Sequence, residues 1–283
     1  MINNGSIPRD WKKGIVVPIH KGGDRSVVKN YMLFSLTSVV CKQMEHIIAC
    51  YIRQVWEGRD WLYEGQRGFR PGYSCESQII TVCQDISDSL DEPYRLDTII
   101  IDFLKAFDLV PHEQLLKKIA ASGMDSRVVV WIREFLIGRS QRVRVGRHYS
   151  EEVRVMSGVP QGSVLGPLLF LAYINDIWRI IESKIRLFAD DCIIYRKILN
   201  IKDVEKVQTD LDRVGDWAEG NEMKINPNKS KALSFTRAQV KDPLNYSIGD
   251  QKIPEASCCK YFVIIIRSDL NWADRVNFTV KKP

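Results

Sequence analysis

The stretch "IRLFADDCIIYR", residues 185–196, sets two adjacent aspartates, Asp190 and Asp191, between two mostly apolar runs. Residues 186–189 and 192–195 flank the pair symmetrically, so the economical local structure is a β-hairpin with both carboxylates at its turn. Aspartate is a common turn residue, and the pair alone carries no function. A third acid changes the reading. "TIIIDF" (98–103) is a β-branched run too short for a helix. It reads as a buried strand with Asp102 near its end, where an unpaired charge is costly unless a cation or a donor compensates it. If this strand lies beside the hairpin, three carboxylates converge, and such a self-repelling cluster is stable around divalent metal. An oxygen-only donor set suits Mg²⁺.

The remaining bounds are compatible with a folded, non-membrane protein. The 283 residues are 45% hydrophobic and 27% charged, which leaves room for one large domain or two subdomains. No apolar stretch approaches the roughly 20 residues that span a bilayer, and the opening residues carry no hydrophobic targeting segment. The seven cysteines are irregularly spaced with no C-x-x-C, so neither a disulfide framework nor a zinc site is expected and a reducing compartment is the default. The net charge of +6 is uneven. Residues 1–70 hold eleven Lys and Arg against six Asp and Glu, leaving 30 against 29 for the rest. A basic end of this kind suits a polyanion such as nucleic acid.

Helix and strand signals alternate, which predicts a mixed α and β protein. Residues 15–19 read as a strand. Val40, Met44, Ile47, Ile48, Tyr51 and Val55 recur at helical spacing and predict an amphipathic helix over 38–56. Pro111 opens a helix, since proline costs least at that position, and His112 reads as a packing residue at its start. A further helix is expected over 126–137. "QRVRV" and "EEVRV" alternate at period two on either side of "GRHYS" and predict a hairpin. "SGVPQGSVLGP" (157–167) is a turn-rich loop without the Gly-Lys-Ser/Thr ending of a P-loop, followed by an apolar helix. Val204, Val207, Leu211, Val214 and Trp217 mark another amphipathic helix, and short strands are expected at 232–236 and 261–266.

Several blocks, in order, resemble the polymerase region of reverse transcriptases from non-LTR retrotransposons, closest to the insect jockey type. They are "DFLKAFDLVPHEQLL" (102–116), "SGVPQGSVLGPLLFLAYINDI" (157–177) and "LFADD" (187–191). Upstream, "WKKGIVVPIHKGGD", "NYMLFSLTSVVCKQMEHII" and "GQRGFRPGYSCESQI" resemble fingers blocks; downstream, "WAEGNEMKINPNKSKALSF" and "CCKYFVIIIRSDLNW" resemble the last palm blocks. The similarity runs from about residue 7 to 273.

The resemblance implies an α+β right-hand polymerase whose palm is a ferredoxin-like antiparallel sheet backed by helices. Fingers would occupy 1–95, the first part of the palm 96–125, a fingers hairpin insertion 126–155 and the remaining palm 156–283, ending before a thumb. Asp102, Asp190 and Asp191 then match the catalytic metal triad, holding two Mg²⁺ ions, with Mn²⁺ as a substitute. Phe107 matches the aromatic gate against a ribonucleotide 2′-hydroxyl, and Gln161 the residue contacting the incoming nucleotide. Pro160 and Gly162 shape that loop and, with Gly68, Phe69 and Arg70, match template and primer positions. Lys21 is expected at the triphosphate and Lys229 at the pyrophosphate leaving group. The implied partners are an RNA template, a DNA primer and dNTP, with no membrane.

Three departures stand out. Tyr31-Met32-Leu33-Phe34-Ser35 occupies a segment that usually reads Tyr-Arg-Pro-Ile-Ser, and a thioether offers neither the charge nor the bidentate fork of a guanidinium. Tyr261-Phe262-Val263 stands where Tyr-Leu-Gly is usual, a strained substitution if the glycine needs positive φ. Cys75 and Leu104 replace commonly polar residues. The endonuclease and thumb of a full element protein are expected to be missing. These features also allow a second expectation, a catalytically impaired element copy that binds nucleic acid. A palm polymerase copying RNA into RNA is a third, against which Phe107 speaks.

Overall fold

A computed structural model describes residues 6–90, 94–236, 243–262 and 264–269. The first half of the chain runs through β1 (Lys13–His20), β2 (Tyr31–Leu36), α1 (Val39–Glu57), α2 (Cys75–Leu90), β3 (Arg95–Ile101), α3 (Ala106–Leu109), α4 (His112–Ala121) and α5 (Ser126–Leu136). There follow β4 (Ser140–Val145), β5 (His148–Tyr149), β6 (Val153–Arg154), α6 (Leu165–Ile174), β7 (Lys184–Phe188), β8 (Asp191–Ile198) and α7 (Ile201–Gly220). The last elements are β9 (Lys231–Phe235), β10 (Ser247–Ile248), β11 (Gln251–Lys252), β12 (Cys258–Tyr261) and β13 (Ile264–Arg267). Two compact units interleave along the chain: Met1–Tyr63 with Lys105–Asn175, and Glu64–Leu104 with Asp176–Pro283. Residues 64–90 group with the Asp102 strand in the second unit.

The first unit holds a sheet of order β2-β1-β4-β5, with β6 also on β4. β1 pairs antiparallel with β2 and parallel with β4. The hairpin expected around "GRHYS" forms with a tighter turn. Arg144 pairs Tyr149 and Val145 pairs His148 around Gly146, whose φ is +60°. The returning arm breaks after Tyr149 and re-pairs at Gln141–Val153, one residue out of step, as a bulge requires.

Helix α1 forms as expected, but with a rotated face. Cys41, Glu45, Ile48, Ala49, Ile52 and Trp56 are buried, whereas Val40 and Ile47 are 63% and 62% exposed. Two polar contacts fix this rotation. Trp56 Nε1 donates to Ser122 Oγ at 2.9 Å, and buried Glu45 accepts the backbone N–H groups of Val164 and Leu165 at 2.7 and 3.0 Å. Those two N–H groups belong to the start of α6, where helical donors lack intrahelical partners and a carboxylate is favoured. α6 itself is buried from Leu168 to Ile174, so its all-apolar sequence reflects enclosure on every side.

In the second unit the sheet order is β7-β8-β3-β9, with every neighbouring pair antiparallel. α2 supplies Ile79, Val82 and Ile86 to a core shared with Leu96, Ile193, Tyr195, Leu233 and Phe235. α7, closed by an Asn200–Asp203 capping box, packs against β8. Cys192 to Tyr195 are all buried, the mark of a strand covered on both faces. The expected strand over 261–266 is instead a hairpin: β12 and β13 pair antiparallel, with Tyr261 opposite Ile264. Phe262 turns the chain at φ +54°, and period-two reasoning reads through such a turn because its residues are apolar. Val263, one of the three departures, lies outside the described residues. The seven cysteines are unpaired, and among the described residues no helix is long and apolar enough to cross a membrane.

Replacing Glu45 by Ala strands two buried N–H donors at the start of α6. The expected cost is about 2–3 kcal/mol of unfolding free energy, read by denaturant titration, with Glu45→Gln milder because its amide oxygen still accepts.

Candidate active site

The central strands of the second unit's sheet set the spacing of the acids. β3 and β8 run antiparallel with Ile101 opposite Cys192, and one further step of that register sets Asp102 opposite Asp191. The β7–β8 hairpin closes with Phe188 opposite Asp191. Asp190 therefore sits in the two-residue turn, while Asp191 is the first residue of β8 rather than a turn residue. Ala189, the other turn residue, has φ +55°, as the tight turns that match strand twist demand.

Asp102 is held from its other side. Phe103 pairs with Ile225, Asn226 N donates to Asp102 O at 2.8 Å, and Leu104 N donates to Lys224 O at 2.7 Å. Asp102 N donates to Ser230 Oγ at 3.1 Å, and buried Ser230 donates onward to Asn226 O. This clamp fixes the backbone on either side of Asp102. Lys229 lies in the same turn, exposed.

The electrostatics are those of crowded like charges. Burial pushes the Asp191 carboxyl up from 3.8 to about 7, with the neighbouring Asp190 and Asp102 charges adding to the effect. Water still reaches Asp191, so screening reduces what this shift contributes to stability. Among the described residues, no three His, Cys, Asp or Glu side chains are gathered as a metal-binding group. The register thus brings the three acids to neighbouring strand ends without closing their side chains into a cage. Their chemistry nonetheless fits a hard divalent cation: the donors are all oxygens, and they carry a repulsion that a cation would relieve.

Residues 65–68 run alongside β7 toward the same turn. Leu187 N donates to Gly65 O, and Arg67 N donates to Leu187 O. Gly68 is obligatory here: a Cβ on it would stand 2.3 Å from Ala189 N and 2.9 Å from Phe188 C. Phe69 is exposed with φ +54°. The Arg70 guanidinium donates to Gln66 O at 3.1 Å and lies 5.4 Å from the Tyr73 ring centre.

The other expected residues belong to the first unit, where residues 107–112 and 157–162 are laced together. Gly158 N donates to Val110 O, Val159 N to Phe107 O, and Ser35 N to Gln161 O. His112 Nε2 donates to Gly158 O at 2.8 Å from a buried ring, a packing role. Phe107, half-buried, stacks on Phe170 with ring centres 4.3 Å apart. Gly162 has φ +102°, and a Cβ there would meet Phe34 and Ser35 O at 2.7 Å. Pro160 O accepts from Ser163 Oγ at the turn into α6. Gln161 Nε2 donates to Asp108 Oδ1 at 3.1 Å. Burial raises the Asp108 carboxyl above its ordinary value, while Lys105, the Gln161 hydrogen bond and Lys21 oppose the shift. Met32 lies on β2 opposite Ile19.

Sequence reading missed two residues at these places. Asp108 orients the Gln161 amide, and its only sequence signal is an acid six residues after Asp102. Gln66 is 1% exposed and contacts the Ala189 turn; a lone glutamine between Gly65 and Arg67 gives no such signal.

Comparison with solved structures defines the fold. The chain superposes on telomerase of Candida tropicalis, truncated from the C-terminal domain, with TM-score 0.61 and 13% identity, covering 94% of this chain and 55% of that one. A telomerase of Candida albicans gives TM-score 0.58 at 14% identity, covering 93% and 46%. In sequence, the model of the family "Reverse transcriptase (RNA-dependent DNA polymerase)" matches residues 19–278, and the chain belongs to that family. Among curated relatives, the "Probable RNA-directed DNA polymerase from transposon X-element" of Drosophila melanogaster is 31% identical over 95% of this chain. The "RNA-directed DNA polymerase from mobile element jockey" of the same species is 26% identical over 98%. The chain spans 30% and 31% of the length of these two relatives.

Two outcomes are expected. Gly68→Ala should lower unfolding free energy by about 1–3 kcal/mol, the usual cost of forcing atoms into a filled site, as read by denaturant titration. The raised Asp191 carboxyl contributes stability that is fully present below pH 3.8 and is lost as pH rises through about 7. In EDTA, wild type should therefore lose stability relative to Asp191→Asn between pH 5 and pH 8, as thermal melts would register.

Proposed function

We propose that this chain is the fingers and palm part of a non-LTR retrotransposon reverse transcriptase, extending a DNA primer on an RNA template. The reading rests on one observation above the others: the β3–β8 register ends with Ile101 opposite Cys192, which brings the neighbouring Asp102 and Asp191 to adjacent strand ends beside the turn that carries Asp190. In it, the β7-β8-β3-β9 sheet is the ferredoxin-like palm, and Asp102, Asp190 and Asp191 hold two Mg²⁺ ions, or Mn²⁺ in their stead. The ions would supply activation of the primer 3′-hydroxyl and stabilisation of the leaving oxygen.

The protein's own groups bind and orient. Gln161, steered by Asp108, presents its amide to the incoming dNTP, and Pro160 and Gly162 shape the loop that carries it. Phe107, stiffened by its stack on Phe170, bars a 2′-hydroxyl. Lys21 meets the triphosphate, and Lys229 delivers a proton toward departing pyrophosphate. Gly68, Phe69 and Arg70 line the template and primer side, where recognition depends on backbone and hybrid shape rather than base sequence. The basic surplus in residues 1–70 favours such a polyanion.

Primer extension on an RNA template with Mg²⁺ tests this. Asp190→Asn should lower incorporation about a thousandfold, the loss of several kcal/mol of transition-state stabilisation. Equal incorporation by both proteins would overturn the site. Met32→Arg should tighten dNTP binding about tenfold, as a charge-assisted phosphate contact would, and is read in the KM for dNTP.

A further inference from the structure

The Ala189–Asp190 turn is a strained element braced by the segment around Gln66. Ala189 is a non-glycine residue at φ +55°, a conformation that brings Cβ too close to the carbonyl oxygen and is avoided unless surroundings impose it. One side chain in particular holds it there. Gln66 Oε1 accepts Ala189 N–H at 2.9 Å, and Gln66 Nε2 donates to Ala189 O at 3.3 Å. The amide thus grips both backbone groups of the one left-handed residue, as a paired strand would. The same Oε1 also accepts Gly68 N–H at 2.9 Å. With two donors at the oxygen and a carbonyl at the nitrogen, one amide orientation satisfies the network and the flipped one fails at every contact.

The glutamine is itself immobilised. It is 1% exposed, and its backbone neighbours are bonded to Leu187 on both sides. Its own carbonyl accepts from Arg70. Gly68 closes against Ala189 and Phe188 so tightly that no side chain fits between them. A force on the turn therefore meets a braced strut instead of a flexible loop.

We infer that Gln66 is a positioning residue for the metal-binding carboxylates: its amide locks Ala189 in the left-handed conformation and so sets the Asp190–Asp191 corner against Asp102. This rests on the polymerase reading above. Since the three acids are not drawn into a closed group among the described residues, the position of this corner governs how readily a cation draws them together. The turn must hold still while the side chains move.

The test uses the full chain with Gln66→Met, which keeps the volume and removes the amide, and Mn²⁺ as probe, followed by loss of its free-ion EPR signal. Gln66→Met is expected to weaken Mn²⁺ binding about tenfold and to speed hydrogen exchange at the Ala189 amide, while circular dichroism stays native. Adding Ala189→Gly, which relieves the positive-φ strain, is expected to recover most of the Mn²⁺ affinity; packing alone would predict no such rescue. Gln66→Glu, which keeps the accepting oxygen should the methionine variant fold poorly, is expected to retain Ala189 amide protection. Unchanged Mn²⁺ affinity in folded Gln66→Met, or exchange at Ala189 as slow as in wild type, would overturn the assignment. If wild type and Asp190→Asn bind Mn²⁺ equally, the metal reading itself fails, a result independent of position 66.

Discussion

Three carboxylates held at adjacent strand ends in one sheet form the constraint on which the rest of the second unit depends. Antiparallel pairing of β3 with β8 runs up to Ile101 opposite Cys192, the residues next to Asp102 and Asp191, and the Ser230–Asn226 clamp holds the Asp102 backbone beyond it. Burial, with the neighbouring Asp190 and Asp102 charges adding to it, pushes the Asp191 carboxyl up to about 7. A fold that confines like charges this way stores an unfavourable interaction which a divalent cation would convert into a favourable one. The neighbouring features serve the same end: Ser230 and Asn226 clamp Asp102, Gln66 and Gly68 brace the turn, and α2 and α7 cover the strands that carry the acids.

The first unit solves a different problem, that of holding a polar loop rigid beside an apolar helix. Residues 157–162 carry turn chemistry throughout, yet their backbone groups are paired with residues 107–112 and with Ser35. Glu45 completes the arrangement by capping the helix that the loop feeds. A buried carboxylate is expensive unless bonded, and here its partners are the very donors that a helix start leaves open. Asp108 follows the same logic on a smaller scale, its oxygen spoken for by Gln161. In both places an acid acts as scaffold, its oxygen taken up by a hydrogen bond to a neighbouring segment.

Sequence periodicity located most elements because their signals are local. The helix at 201–220, the strands around Asp102 and Asp190, and the helix after Pro111 all carry spacing or capping signatures within a few residues. Faces and pairings were less legible. The apolar residues of α1 offer two overlapping stripes, and the contacts of Trp56 and Glu45 with distant segments choose between them. The turn at Phe262 is hidden because nothing in an apolar run announces a positive φ.

The sequence by itself determined the family and the type of most helices and strands, since these rest on residue chemistry and short-range spacing. Tertiary structure decided which strands pair, that β1 joins β4 in parallel, and that residues 64–90 belong with the acid-bearing sheet. It alone gave Gln66 a role. The physical reason is distance along the chain: a hydrogen bond between positions separated by more than a hundred residues leaves no periodic trace in either segment, and only folding brings the two ends of it together.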